Sequence, residues 1–256
     1  MRSFAPGPLF DFSGSGMSRL CSWYTTRVIM TCAAVHRGQV CAKAMKRATQ
    51  ICISGLASGV GKTTVLCDLL RFYPGWEAIK VSRGHYRSCG KDPQACCISP
   101  MLGEKPLILS GRADTFAPGK DTGRYWDAGA ANVHWVVCAS DQVEEGIRIA
   151  LSMVKAEGVF IESTSILKYI PADYSIMVTG PSIMQIKSSA ARVMDKMNAV
   201  FVTRSEPDPG ILSRLQTKVT ERGYSLGPVP IYFDRDMARM AEEVGRFHRT
   251  RLSAGP

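Results

Sequence analysis

The 256-residue chain is 45% hydrophobic and 21% charged, proportions of an ordinary globular protein that exclude a disordered or fibrous chain. One α/β core of roughly 200 residues is the expected organisation at this length. The net charge of +10 is uneven: residues 1–48 hold +6 of it, and the remaining +4 suits anionic nucleotides without calling for nucleic acid.

Residues 1–48 carry no regular period, and arginines interrupt each apolar stretch before a signal-peptide core could form. They read as a disordered leader or a mis-assigned start rather than a targeting peptide. Met45 leads straight into the first strand, so the nucleotide-binding domain is placed at residues 49–256. From Gln50 onward, short β-branched runs alternate with helical patterns, the signature of βαβ units around a mostly parallel sheet with helices on both faces. Strands are predicted at 51–54, 76–82, 107–110, 133–138, 159–161, 174–179, 199–203 and 229–232. Helices are predicted at 62–72, 122–130, 142–156, near 186–194, at 209–222 and at 235–247, with Gly158 capping the third. Residues 83–105, rich in Gly, Pro and Cys, read as a loop. Sheets of this kind bind ligands at the carboxyl ends of their strands.

The nine cysteines are odd in number and scattered, and Cys52, Cys67 and Cys138 fall where buried elements are predicted. That points to reduced thiols and a cytoplasmic protein. No apolar run reaches the roughly 18 residues of a membrane span.

Between the first strand and the first helix stands the sequence GLASGVGKTT, residues 55–64. A P-loop asks for a glycine at position 56, where this chain has Leu56, with Gly55 one place earlier. The rest is intact. Gly59, Val60 and Gly61 form the curl that aims backbone N–H groups inward, Lys62 supplies a point charge for the outer phosphates, and Thr63 offers a hydroxyl to Mg²⁺, with Thr64 beside it. The helix that follows points its positive end at the same place. The implied ligand is GTP or ATP with Mg²⁺.

Two carboxylates are candidates to complete the metal site. Glu162 ends the apolar strand GVFIE, where an acid is costly unless paired or on a metal. Asp121, at a loop-to-helix junction, serves either the metal or as the helix N-cap.

The GVGKTT loop, the basic element Lys80-Val81-Ser82-Arg83-Gly84-His85, the sequence PGKDTGRYWDAGAANV at residues 118–133 and the strand ending in Glu162 together resemble the molybdopterin-guanine dinucleotide biosynthesis protein B (MobB) family. The likeness spans residues 51–163, and PGKD is its most specific element. It implies a P-loop NTPase of the SIMIBI class shared with dethiobiotin synthetase and MinD-type proteins, dimeric, with a partner protein in cofactor biosynthesis. By the same resemblance Lys62, Glu162 and Asp121 are catalytic, Lys120 and Asp121 belong to the PGKD element, and Thr63 and Glu162 hold the metal. The chain departs from it in a reduced His stretch, an extra Cys-containing insertion and Ala57 in place of the MinD-type signature lysine.

The segment 203–206 (TRSE) follows an apolar strand where a guanine-reading acid would stand, although charged loops after strands are commonplace. His85, Cys89, Cys96 and Cys97 fit no zinc spacing and read as loop thiols. The leading function is Mg²⁺-dependent NTP binding with hydrolysis in molybdenum-cofactor or related cofactor biosynthesis. Its rivals are a small-molecule kinase or ligase using Arg83, His85 and Arg124 for its second substrate, and a nucleotide-gated module without turnover.

Overall fold

The computed structural model describes residues 47–84, 98, 101–183, 185–206, 208 and 210–253. The expected leader over residues 1–48, except for its last two residues, lies outside the described residues, as do His85, Cys89, Cys96 and Cys97.

Seven consecutive buried residues form β1 (Thr49–Gly55), a run that only a strand covered on both faces can use. The chain continues through α1 (Lys62–Phe72), β2 (Glu77–Arg83), β3 (Leu107–Ser110), α2 (Arg112–Thr115), α3 (Asp121–Asp127), β4 (Val133–Cys138), α4 (Val143–Met153) and β5 (Gly158–Glu162). After a 3-10 turn at Ser165–Lys168 come β6 (Tyr174–Thr179), α5 (Ser188–Ala191), β7 (Ala199–Val202), α6 (Ile211–Thr220), β8 (Ile231–Phe233) and α7 (Met237–Ser253). The eight strands form one sheet in the order β3-β4-β2-β5-β1-β6-β7-β8. All neighbours are parallel except edge strand β3, which runs antiparallel to β4.

Alternation along the strands splits the core in two. Ile51, Ile53, Phe160 and Ile176 face α1, α3 and α7, packing on Leu66, Leu69, Leu70, Tyr125, Met240 and Val244. Cys52, Ile161, Met177 and Val200 face the other way onto Val143 and Ile147 of α4 and Ile211, Leu215 and Val219 of α6. Asp173 fixes the start of β1 to α7, accepting from the Gln50 amide at 2.7 Å and pairing with Arg47 and Arg251.

Several expected boundaries move. α4 stops at Met153, because the carboxylate of Glu77 accepts from the backbone amides of Lys155 and Ala156 at 2.9 and 3.0 Å and turns the chain outward. Gly158 is therefore no helix cap. It opens β5, and a Cβ there would lie 2.3 Å from the Trp76 indole, so close packing selects the glycine. The helix expected near 186–194 divides into the four-residue α5 and a 3-10 turn at Met194–Lys196. The last helix runs on to Ser253. Among the described residues no helix is long and apolar enough to cross a membrane.

Candidate nucleotide and metal site

Strand β1 lies between β5 and β6 at the centre of the sheet, so the loop after it opens among the carboxyl ends of the strands. Gly59 and Gly61 take φ of 69° and 94°, left-handed values natural to glycine. The loop is held from outside: Thr203, just after β7, donates its hydroxyl to the Val60 carbonyl at 2.8 Å, and Arg204 reaches the Gly59 carbonyl at 3.3 Å. The departure at position 56 has a steric account. A Cβ on Gly55 would come within 2.7 Å of the Lys62 side chain, so the bare glycine at the strand's end makes room for the lysine to fold back. Leu56 instead is buried and its amide donates to the Val178 carbonyl at 2.9 Å.

Around Thr63 the structure gathers four more side chains. The Thr63 hydroxyl stands 2.8 Å from Glu162 Oε2 and 3.1 Å from Asp121 Oδ1, shared between the two carboxylates. Lys80 Nζ bridges the same pair from the other side, 2.5 Å from Glu162 Oε1 and 2.6 Å from Asp121 Oδ2. Tyr125, fully buried on α3, donates its hydroxyl to Glu162 Oε2. Glu162 is 3% exposed, so it is no solvated strand end; three donors converge on its two oxygens. Asp121 is the first residue of α3 and its side chain caps nothing, the N-cap position belonging to Lys120. Its carboxylate goes to Thr63 and Lys80 instead.

The electrostatics follow from this closeness. Burial pushes the Lys62 ammonium below its usual range, and Lys80 and Lys187 add to that against the opposing pull of Glu162. Burial alone would also lower Lys80, but Glu162 and Asp121 outweigh it and hold its pKa above the ordinary lysine value. For Asp121, burial raises the carboxyl pKa, and the stronger influence of Lys80 and Thr63 holds it low. Lys62 is thus a desolvated cation that an incoming phosphate would stabilise.

A cavity of about 210 Å³ lies over this cluster, lined by Gly55, Lys62, Lys80, Arg83, Glu162 and Lys187 among others. Lys187, after β6, donates to the Ser58 hydroxyl at 2.6 Å and so brings a third lysine to the loop. A second cavity of about 400 Å³ adjoins it, lined by Lys80, Ser82, Phe116, Lys120, Asp121 and Trp135 among others.

Lys62, Thr63, Asp121 and Glu162 therefore come together as expected. Lys120 is exposed and lines the second cavity. Thr64 accepts from Arg124 at 3.0 Å; Arg83 lines the first cavity, and His85 lies outside the described residues. Sequence reasoning missed Lys80, Tyr125 and Lys187 as members of the site. Lys80 carried a usable signal: a lysine within the apolar strand WEAIKVS is as costly as the acid in GVFIE unless the two pair.

Thr63, Asp121 and Glu162 offer only oxygen donors, the set a small hard cation such as Mg²⁺ takes. Among the described residues no group of three or more His, Cys, Asp or Glu side chains could hold a metal by itself. The thiols of Cys52, Cys67 and Cys138 are free and buried, and burial pushes them up to about 12, 11 and 11, so they are inert at neutral pH.

No family model and no curated protein matches the chain in sequence. Among solved structures it is similar to HypB from Helicobacter pylori in complex with nickel, at 12% identity over 80% of this chain and 89% of that one, TM-score 0.47. It is also similar to a ParA family ATPase from Chlorobium tepidum TLS, at 13% over 82% and 93%, TM-score 0.36. A third is a nucleotide-binding protein in complex with ADP from Archaeoglobus fulgidus, at 13% over 78% and 88%, TM-score 0.35. With a glycine-rich loop between a central parallel strand and the next helix, and helices on both sheet faces, the chain has the α/β P-loop NTPase fold.

Proposed function

We propose that the protein binds a nucleoside triphosphate with Mg²⁺ and hydrolyses it. The observation that carries this reading is the convergence of Thr63, Asp121, Glu162 and Lys80 at the open end of the loop, beside the desolvated Lys62. The α1 N-terminus and the inward backbone amides of residues 59–63 would cradle the β- and γ-phosphates, and Lys62 and Lys187 would neutralise their outer oxygens. Thr63, with Glu162 or Asp121, would hold Mg²⁺, which when bound withdraws charge from the bridging oxygens. The carboxylate left over orients the attacking water. Tyr125 and Lys80 hold the Glu162 carboxylate in place through a hydrogen bond and an ion pair.

The cofactor-biosynthesis setting, the homodimer and the partner protein rest on the MobB resemblance, which the placement of the PGKD element against Thr63 supports. The second cavity favours an acceptor other than water as the runner-up. Phosphate release from ATP and from GTP, with Mg²⁺ and with chelator, tests the leading reading. Turnover that needs Mg²⁺ and vanishes in Lys62→Ala is expected; no release with either nucleotide would refute hydrolysis.

A further inference from the structure

Three residues stand in one row across the sheet. Lys80 on β2 pairs in register with Trp135 on β4 at one side and with Glu162 on β5 at the other. Residues in register on neighbouring parallel strands share a face, so the flexible Lys80 stem is rooted between the phosphate cavity and the second cavity and lines both. Its ammonium lies on the Glu162 side, clamped between two carboxylates that also flank Thr63. That is where a divalent cation held by Thr63 would draw the same carboxylates. A cation with twice the charge and a stronger demand for oxygen ligands displaces an ammonium from such a position.

The second cavity has the furniture to receive the displaced group. Trp135 is the one residue of β4 that is not buried, and its indole N–H donates to the Ser82 hydroxyl at 2.9 Å, fixing the ring. Phe116, half-buried under the Arg112 guanidinium 4.1 Å from its ring centre, supplies a second apolar surface. Lys120 lines the same cavity and makes no ion pair among the described residues. Asp121 and Asp114 are the acids on its wall, and of these Asp121 is the one a metal would neutralise. Without a metal, Lys80 is neutralised too and the cavity has little pull on an anion; with a metal, Lys80 and Lys120 face it against Asp114 alone.

We propose that the cavity between β2, β4 and the Asp114–Thr122 stretch is a binding site for a small oxyanion carried on a flat apolar body, and that Mg²⁺·nucleotide opens it by turning Lys80 away from Asp121 and Glu162. The inference rests on the Mg²⁺·nucleotide reading of the first cavity. It makes binding ordered, nucleotide before anion, and by reciprocity the anion tightens the nucleotide by the same factor.

The test is calorimetric titration of phenyl phosphate, with inorganic phosphate and phenol as separate head and ring controls. It is done on the protein alone and on the protein saturated with Mg²⁺ and a β,γ-imido ATP or GTP analogue, which fills the phosphate cavity. Phenyl phosphate should bind at least tenfold more tightly in the presence of the Mg²⁺·analogue, and Phe116→Ala and Trp135→Ala should each lose most of that gain; Phe116→Ala serves if Trp135→Ala does not fold. In parallel, electron paramagnetic resonance of Mn²⁺ without nucleotide should report at least tenfold tighter metal binding in Lys80→Met than in wild type. Equal phenyl phosphate affinity in the two states, no binding in either, or a gain retained in Phe116→Ala would overturn the site. Unchanged Mn²⁺ affinity in Lys80→Met would overturn the displacement. The Mg²⁺·analogue is first titrated by itself, and its failure to bind would overturn the nucleotide reading and this inference together.

Discussion

Replacing Glu162 with Gln keeps the shape of the side chain and removes its charge. In the structure two carboxylate oxygens accept from Lys80, Thr63 and Tyr125; the amide offers one oxygen, which stays with Lys80, so its NH₂ faces the two hydroxyls. Thr63 can turn its proton to Asp121 and accept, but the buried Tyr125 hydroxyl loses the acceptor for its proton, at a cost of about 1–3 kcal/mol, enough to lower the melting temperature of a domain this size by several degrees. The loss in hydrolysis should be larger than that in binding, about 10²-fold, the scale of one positioned catalytic group, or about 2.7 kcal/mol of transition-state stabilisation. Affinity should fall only modestly, because Lys62 and the loop amides still hold the phosphates. Single-turnover phosphate release and calorimetric affinity, both corrected for the folded fraction, separate the two effects. Wild-type hydrolysis in Glu162→Gln, together with lost Mg²⁺ dependence in Asp121→Ala, would refute the reasoning and assign the metal to Asp121.

Gly61→Ala should cost about 1–3 kcal/mol of stability, since its φ of 94° suits glycine alone and a Cβ would press to 3.0 Å from Thr203; an unchanged melting temperature would contradict this. Glu77→Ala, on the opposite rim of the sheet, strands His134, whose Nε2 lies 2.7 Å from Glu77 Oε2, and the amides of Lys155 and Ala156, and should destabilise the fold by about 3 kcal/mol. Burial alone raises the Glu77 pKa, but His134 and the two amides outweigh it and hold the carboxyl below the usual range. Its stabilising contribution is therefore full above the unfolded carboxylate pKa of about 4.3 and is lost as pH falls through the lower folded value. The melting temperatures of wild type and Glu77→Ala should accordingly begin to draw together as pH falls below about 4.3. A chain starting at Met45 should match the full chain in melting temperature within about 2 °C and in nucleotide affinity; insolubility or lost binding would place the leader within the domain.

The strands with continuous apolar runs were the legible part of the fold: β3, β4 and β6 fall where the pattern puts them, and so does α1, with its 3,4-spaced leucines. Boundaries failed where tertiary partners override local signals, as when Glu77 takes the amides after α4 and Trp76 demands the glycine at 158. The loop and its lysine were readable because phosphate binding constrains consecutive residues. The rest of the site is assembled across the chain: Lys80 meets Glu162 from 82 positions away and Tyr125 from 37. Neither distance leaves a local pattern; only the cost of an unpaired charge in an apolar strand hinted at the first.

The proposed function depends most directly on the loop between β1 and α1 gripping Mg²⁺·nucleotide. Isothermal calorimetry of wild type, Lys62→Ala and Thr63→Ala with Mg²⁺·ATP and Mg²⁺·GTP measures this. Wild type should bind at least one nucleotide measurably, and each variant should bind it tenfold or more weakly, with folded structure retained by circular dichroism. Absence of binding to wild type, or equal affinity in both folded variants, would contradict it.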